Sequence, residues 1–465
     1  MIDVLLIYPP VSYTANFEDI KDDLVLDHPP IGYLYIAAAL KEKGFSVRVL
    51  DTAEIFSLKD TLKLINKEKP KVIGISSLTS NMRGAFQLAT AVKKKFGKKI
   101  VIALGGHHVS SDPDVVRRFP CFDFGVTGEG EITFSNLVED IIKGKKRKFK
   151  KIYQGEVPKN LDALPFQARE LVDFHRYKDL WANNIVSSRG CPYHCIFCSR
   201  PAVSRLSRFR SPKQVVKEMR QATKITGLNE FMFLDDTINL NRKHIINLCK
   251  EIISSKINPR WTGQARLNLV DEEMIKIMAQ AGCRKLIFGV ESGNDRVRND
   301  VIKKGVSKEQ IKNGIKLCKK YRIEPDIYLM LGFPTETKEE MKDTIFFSKH
   351  YNPNMIGVHI TIPLPGSILW EELTRRDKKL FKTIDRYIKG EIGEGFRKNW
   401  PRYIPKGMTI EDLMQARNQA NRSFYLRPQY AWHRLKTDLT NWSALKRDVV
   451  EAISLIRFGR SHWGD

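Results

Sequence analysis

The feature that most limits the fold is an alternation of short apolar runs with helical patterns through the first 380 or so residues. Five runs precede residue 145, at 4–8, 46–50, 72–76, 100–104 and 122–126, with helical patterns at 31–43, 81–95 and 131–142 among them. Strands alternating with helices imply a parallel, doubly wound α/β sheet. Six further runs follow at 184–188, 231–235, 260–264, 285–291, 326–331 and 355–361. Helical patterns at 213–226, 242–255, 272–281, 308–321 and 338–349 separate them, and six βα units suit a partial, TIM-like (β/α)6 barrel. The domains expected are a sheet domain at 1–145, a proline-broken linker at 146–183, the barrel at 184–380 and a small, mostly helical region at 381–465. In both sheet types ligands gather beyond the carboxyl ends of the strands.

Composition narrows the class. A chain of 465 residues can bury two or three cores, and 42% hydrophobic with 28% charged residues is ordinary for a globular protein. No apolar run reaches the ~18 residues that span a bilayer. Met1-Ile2-Asp3-Val4 reads as the approach to a first strand and not as a secretion signal. Seven cysteines, three of them in one loop, suit a reducing cytoplasm. The net charge of +26 is compatible with nucleic acid, an anionic membrane face, an anionic substrate or lysine-rich solvation. Its densest run, 143–151, reads as a solvated linker or a binding patch.

The three clustered cysteines are Cys191, Cys195 and Cys198, at Cys-x3-Cys-x2-Cys spacing directly after the run 184–188. Thiolates this close suit an iron–sulfur cluster or zinc. A zinc knuckle lacks a fourth ligand nearby except His194, which the spacing places awkwardly. A [4Fe–4S] cube has four irons, so three cysteines leave one iron open for chemistry. Cys249, Cys283 and Cys318 fall on or beside helical patterns and read as packed thiols.

The loop Ser188-Arg189-Gly190-Cys191-Pro192-Tyr193-His194-Cys195-Ile196-Phe197-Cys198 resembles that of the radical S-adenosylmethionine (SAM) enzymes. The resemblance implies that the open iron chelates SAM and cleaves it reductively to a 5′-deoxyadenosyl radical. It also implies roles for residues at the other strand ends. Asp235 and Asp236 stand where many such enzymes carry a Gly-Gly-Glu that takes the SAM amino group; either could instead be a helix N-cap. Glu291 and Ser292 would accept from ribose hydroxyls, Arg266 would pair with the methionyl carboxylate, and the turn Gly332-Phe333-Pro334 would pack near adenine.

The N-terminal turns resemble the cobalamin-binding domain that precedes many radical SAM domains. Matching pieces are His28-Pro29-Pro30-Ile31-Gly32, the 76–81 loop with Ser77 and Thr79, Gly105-Gly106-His107, and Thr127-Gly128-Glu129-Gly130-Glu131. Taken singly, Gly105-Gly106 reads as a plain turn and His107 as a surface residue. The Asp-x-His-x-x-Gly that would bring a histidine to cobalt is absent; Tyr8-Pro9-Pro10-Val11 stands in its place.

Beyond residue 380, Met408-Thr409-Ile410-Glu411-Asp412 reads as a helix start, and 442–458 as a basic amphipathic helix that docks on the barrel or lies on a membrane surface. Together the resemblances imply a cobalamin-dependent radical SAM enzyme that methylates an unactivated carbon of a small-molecule or lipid-like substrate. An oxidative cyclase like the anaerobic porphyrin-ester cyclases uses the same cofactors. Transfer RNA modification fits less well, because the N-terminal region holds only Cys121 and cannot build a second cluster. An electron donor of flavodoxin or ferredoxin type is implied. The expected location is cytoplasmic, with contact at the inner membrane face as the alternative that the basic C-terminal helix allows.

Overall fold

The computed structural model describes residues 2–14, 29–51, 57–145, 150–174, 177, 183–199, 204–393, 400 and 402–430. His28, residues 146–149 of the basic run, and the helix expected over 442–458 lie outside the described residues. The chain divides into two compact units, neither continuous in sequence. One comprises Met1–Pro192, Cys198–Asp235 and Leu364–Pro401, the other Tyr193–Phe197, Asp236–Pro363 and Arg402–Asp465.

The first unit opens with six strands: β1 (Val4–Tyr8), β2 (Val47–Asp51), β3 (Val72–Ser76), β4 (Val101–Gly105), β5 (Phe124–Thr127) and β6 (Ile152–Gln154). They form a parallel sheet of order β2–β1–β3–β4–β5–β6. The order reverses between β1 and β3, the switch point at which doubly wound sheets take ligands. These strands are near-continuous apolar runs because helices cover the sheet. Leu34, Ala37, Phe134 and Leu137, from helices Ile31–Glu42 and Glu131–Ile142, share one core with Val4, Leu6, Val72 and Phe124. β6 comes from the stretch read as linker. Three residues preceded by lysines are too short to show a period, and pairing with β5 supplies the order that periodicity does not.

Next in the chain come β7 (Asn184–Ile185), β8 (Ser188–Arg189), β9 (Arg208–Phe209), β10 (Glu230–Phe233), β11 (Arg260–Ala265), β12 (Cys283–Glu291), β13 (Glu324–Leu331) and β14 (Met355–Ile360). Six of them form a second parallel sheet of order β14–β13–β12–β11–β10–β7, the sequential order of consecutive βα units. The run 184–188 does not stay one strand. β8 turns aside and pairs antiparallel with β9, Ser188 opposite Phe209 and Arg189 opposite Arg208. Asp235 causes the bend: its carboxylate accepts from Ser187 N at 2.7 Å, from Ser188 Oγ at 3.0 Å and from Ser187 Oγ.

Two of the helices that follow β14 bear on the two units. Helix Lys379–Lys389 packs on helix Met82–Phe96 within the first unit, where buried Arg83 donates to Tyr387 O at 2.9 Å and Gly393 O at 2.7 Å. Helix Ile410–Tyr425 starts where the sequence places it, capped by Thr409, whose Oγ1 accepts from Asp412 N at 3.2 Å while Asp412 accepts from Thr409 N. Among the described residues no helix is long and apolar enough to cross a membrane.

Candidate functional site

At the carboxyl edge of the first sheet, the turns after β3, β4 and β5 are drawn tightly together. Ser77 N donates to Gly105 O at 3.0 Å and His108 N to Ser77 O at 3.0 Å. Gly106 has φ +92°, and a Cβ there would lie 2.5 Å from Ser76 Oγ and 2.7 Å from Ser77 O, so only glycine lets these turns close. Ser110 Oγ, behind the Gly105-Gly106 turn, accepts from Gly128 N at 2.8 Å. Thr79 Oγ1 lies 3.1 Å from Nδ1 of His108, which is buried; its Nε2 has no hydrogen-bond partner among the described residues. Burial, reinforced by Arg118 and opposed by Asp112, lowers the His108 pKa to about 4, so the ring is neutral near pH 7. The edge is thus small side chains and bare backbone, which suits close approach of a large flat cofactor such as a corrin. Of the residues expected here, Ser77, Thr79, Gly105, Gly106 and Gly128 meet in these turns.

Glu129 and Glu131 have other partners. Both are buried. Glu129 Oε2 accepts from Arg189 Nη1 at 2.8 Å and from Arg208 Nη1 at 3.2 Å, and its Oε1 pairs with Arg208 Nη2. Glu131 Oε1 pairs with Arg189 Nη2 at 2.7 Å. The arginines were not picked out by sequence reasoning, although Arg189 stands two residues before Cys191 in the loop itself.

Asp235 is buried and spends its oxygens on Ser187 and Ser188. Burial pushes its carboxyl up to about 6 against those hydrogen bonds. Asp236 is half-buried. Neither caps the following helix, Arg242–Ser254; Asn241 does, accepting from His244 N at 3.0 Å.

Within the second unit, the segment Tyr193–Phe197 nests among the other strand-end residues. Arg266 lays its guanidinium 3.5 Å from the centre of the Tyr193 ring, and its Nη1 donates to Cys195 Sγ at 3.8 Å. It also donates to Asn268 Oδ1 at 3.2 Å and to Lys304 O. Ile196 N donates to Ile302 O, and Phe197 packs against Phe333 with ring centres 5.9 Å apart. Glu291, at φ +70°, is buried and paired with Lys304 Nζ at 2.9 Å. Ser292 Oγ lies 3.3 Å from Thr344 Oγ1. The turn Gly332-Phe333-Pro334 is latched by Glu336, whose Oε2 accepts from Gly332 N at 2.7 Å and Phe333 N at 3.1 Å. Lys304 and Glu336 also escaped sequence reasoning, because their partners lie 13 residues away or on the backbone.

None of the cysteines among the described residues is in a disulfide. Burial pushes the thiols of Cys249 and Cys318 up to about 12 and raises that of Cys283, which fits packed thiols. Cys191, Cys195 and Cys198 remain as a thiol set on one loop. Among the described residues no three His, Cys, Asp or Glu side chains gather round a single ion. A cubane takes each thiolate on a separate iron, so the loop's donor chemistry fits a [4Fe–4S] cluster without such convergence.

The chain matches the family model "B12 binding domain" over residues 19–138 and "Radical SAM superfamily" over residues 185–348. It is 30% identical over 452 residues to an uncharacterized methyltransferase of Pyrococcus horikoshii, covering 92% of this chain and 94% of the relative. It is 27% identical over 395 residues to the anaerobic magnesium-protoporphyrin IX monomethyl ester cyclase of Rubrivivax gelatinosus, covering 80% of this chain and 70% of that one. Among solved structures, the apo form of the cobalamin-dependent SAM radical enzyme OxsB superposes with a TM-score of 0.71 at 16% identity, covering 98% of this chain and 71% of OxsB.

Proposed function

This chain belongs to the cobalamin-dependent radical SAM enzymes, and on that premise we propose that it is a methyltransferase acting on carbon in a small-molecule or lipid-like substrate. The observation that carries this reading is the match, nearly end to end in both chains, to the Pyrococcus horikoshii methyltransferase. The family's cofactors are a [4Fe–4S] cluster, SAM and cobalamin. When bound, the cluster and SAM supply a 5′-deoxyadenosyl radical, and cobalamin supplies a methyl group suited to transfer to carbon.

In this reading Cys191, Cys195 and Cys198 hold the cluster. Arg266 orients the Cys195 thiolate by its N–H donation and is itself held by Tyr193. Asp235 fixes the bend between β7 and β8 from which the loop departs. With the oxygens of Asp235 engaged, Asp236 and nearby backbone carbonyls take the SAM amino group. Glu291 and Ser292 face the ribose, with Lys304 holding the Glu291 side chain in place. The Gly332–Pro334 turn, latched by Glu336, borders the adenine. Ser77, Thr79, Gly105, Gly106, His107, Gly128 and Gly130 line the cobalamin edge.

Incubation of anaerobically reconstituted protein with methyl-labelled SAM and candidate substrates tests the proposal. Label in the product supports it. Oxidation of the substrate with no label transferred favours the second reading, an oxidative cyclase, which the Rubrivivax relative's name supports.

A further inference from the structure

Arg189 and Arg208 are directly opposed in the two-stranded pair β8–β9, and the connection between these strands carries all three loop cysteines. Like charges opposite one another push a strand pair apart. Here both side chains are largely withdrawn from water, Arg208 6% exposed and Arg189 18%, so solvent does little to screen them. Glu129 sits between them and accepts from both, while Glu131 takes the remaining Nη of Arg189. Arg208 Nη1 also donates to Pro158 O at 2.9 Å, and the Arg189 guanidinium stacks 5.1 Å from the centre of the Tyr35 ring. Gly190, at φ +90°, passes so close to the segment leading into β9 that a Cβ would lie 2.3 Å from Leu206 O. The base of the cysteine loop therefore stays shut only while a carboxylate neutralises the arginine pair.

We propose that Glu129 and Glu131 are positioning residues for the cluster-bearing loop, clasping β8 to β9 through Arg189 and Arg208, and do not contact the corrin. The proposal rests on the cofactor assignment above. It makes the turn after β5 a shared part, its glycines serving the cobalamin edge and its glutamates serving the cysteines.

The test uses the full chain, reconstituted anaerobically with iron and sulfide and titrated with hydroxocobalamin. Glu129→Gln should bind cobalamin within about twofold of the parent and lose its cluster to a chelator at least tenfold faster, read from the decay of iron–sulfur absorption. Glu131→Gln, which leaves Arg189 one carboxylate, should fall between them. The double variant Glu129→Gln with Arg208→Gln removes the opposed charge together with its partner and should recover most of the cluster lifetime. That recovery separates a clasp from general damage to the fold. Weakened cobalamin binding with a parental cluster lifetime would overturn the proposal, as would a double variant that loses its cluster as fast as the single one. Failure of the parent chain to hold a cluster or cobalamin would instead overturn the reading on which the proposal stands.

Discussion

Arg266 is a fixed cation touching Cys195, a cluster ligand in the proposed reading, and hydrogen bonds to cluster sulfurs help set reduction potential. Losing one N–H···S bond worth ~1 kcal/mol corresponds to ~40 mV for a one-electron couple. Arg266→Met should therefore move the cluster midpoint to more negative potential by about that amount, measured by redox titration followed by electron paramagnetic resonance. An unchanged potential would show that the contact is packing alone. Glu336 makes a separate prediction in the pH dependence of stability. Burial pushes its carboxyl up to about 7, more than the Gly332 and Phe333 N–H groups lower it, and its Oε1 is buried without a partner among the described residues. The unfolded group titrates near 4.5. The folded state thus holds the proton more tightly, and Glu336 costs stability progressively as pH rises from ~4.5 through ~7, levelling above. Glu336→Gln should remove that slope, gaining up to roughly 3 kcal/mol over the parent at pH 8.5 and little at pH 4.5. Urea unfolding at the two values checks it; a gain independent of pH would show that Glu336 does not titrate in this range.

At the scale of elements, helix Lys379–Lys389 depends on one buried cation from a distant strand–helix unit. Arg83 is 1% exposed, donates to one carbonyl in the helix's last turn and one beyond it, and lies 4.7 Å from the centre of the Tyr387 ring, while Tyr387 OH donates to Ser80 O at 3.0 Å. Arg83→Ala should free those carbonyls at a cost on the order of 3 kcal/mol. Limited trypsinolysis should then cut at Lys389 well before the first sheet yields. What was legible in the sequence follows the same division between local and distant causes. β1 and β3 were visible because a strand buried on both faces is an apolar run. The Thr409–Asp412 capping box was visible because its partners are three residues apart. β8 was not, because Asp235 bends the chain from 47 or 48 residues away. The acidic residues after β5 were seen as a motif, but their arginine partners are 60 and 79 residues distant and carry no periodic signal. For Asp235 and Asp236 the capping alternative was local, and the Asn241 signature closer to the helix supersedes it.

For the whole molecule, a net charge of +26 acts on any partner that must deliver an electron. Reduction of the cluster by an acidic flavodoxin should slow several-fold as ionic strength rises from roughly 0.02 M to 0.3 M, where the Debye length falls below ~10 Å. A stopped-flow rate insensitive to salt would indicate docking that does not use this charge. The switch point of the first sheet has a consequence of its own. The β1–β3 ladder ends at Ile7 opposite Ile75, and beyond it the Tyr33 hydroxyl takes over, accepting from Ser76 N at 2.6 Å and lying 2.8 Å from Ile7 O. A side chain rooted in the core thereby holds the mouth of the sheet at a set width before any ligand arrives. The ordering entropy of that mouth is spent during folding rather than at binding, which is preorganisation. Cobalamin should accordingly associate in a single phase whose rate scales with its concentration, without the slow isomerisation that would follow if the turns had to assemble around it.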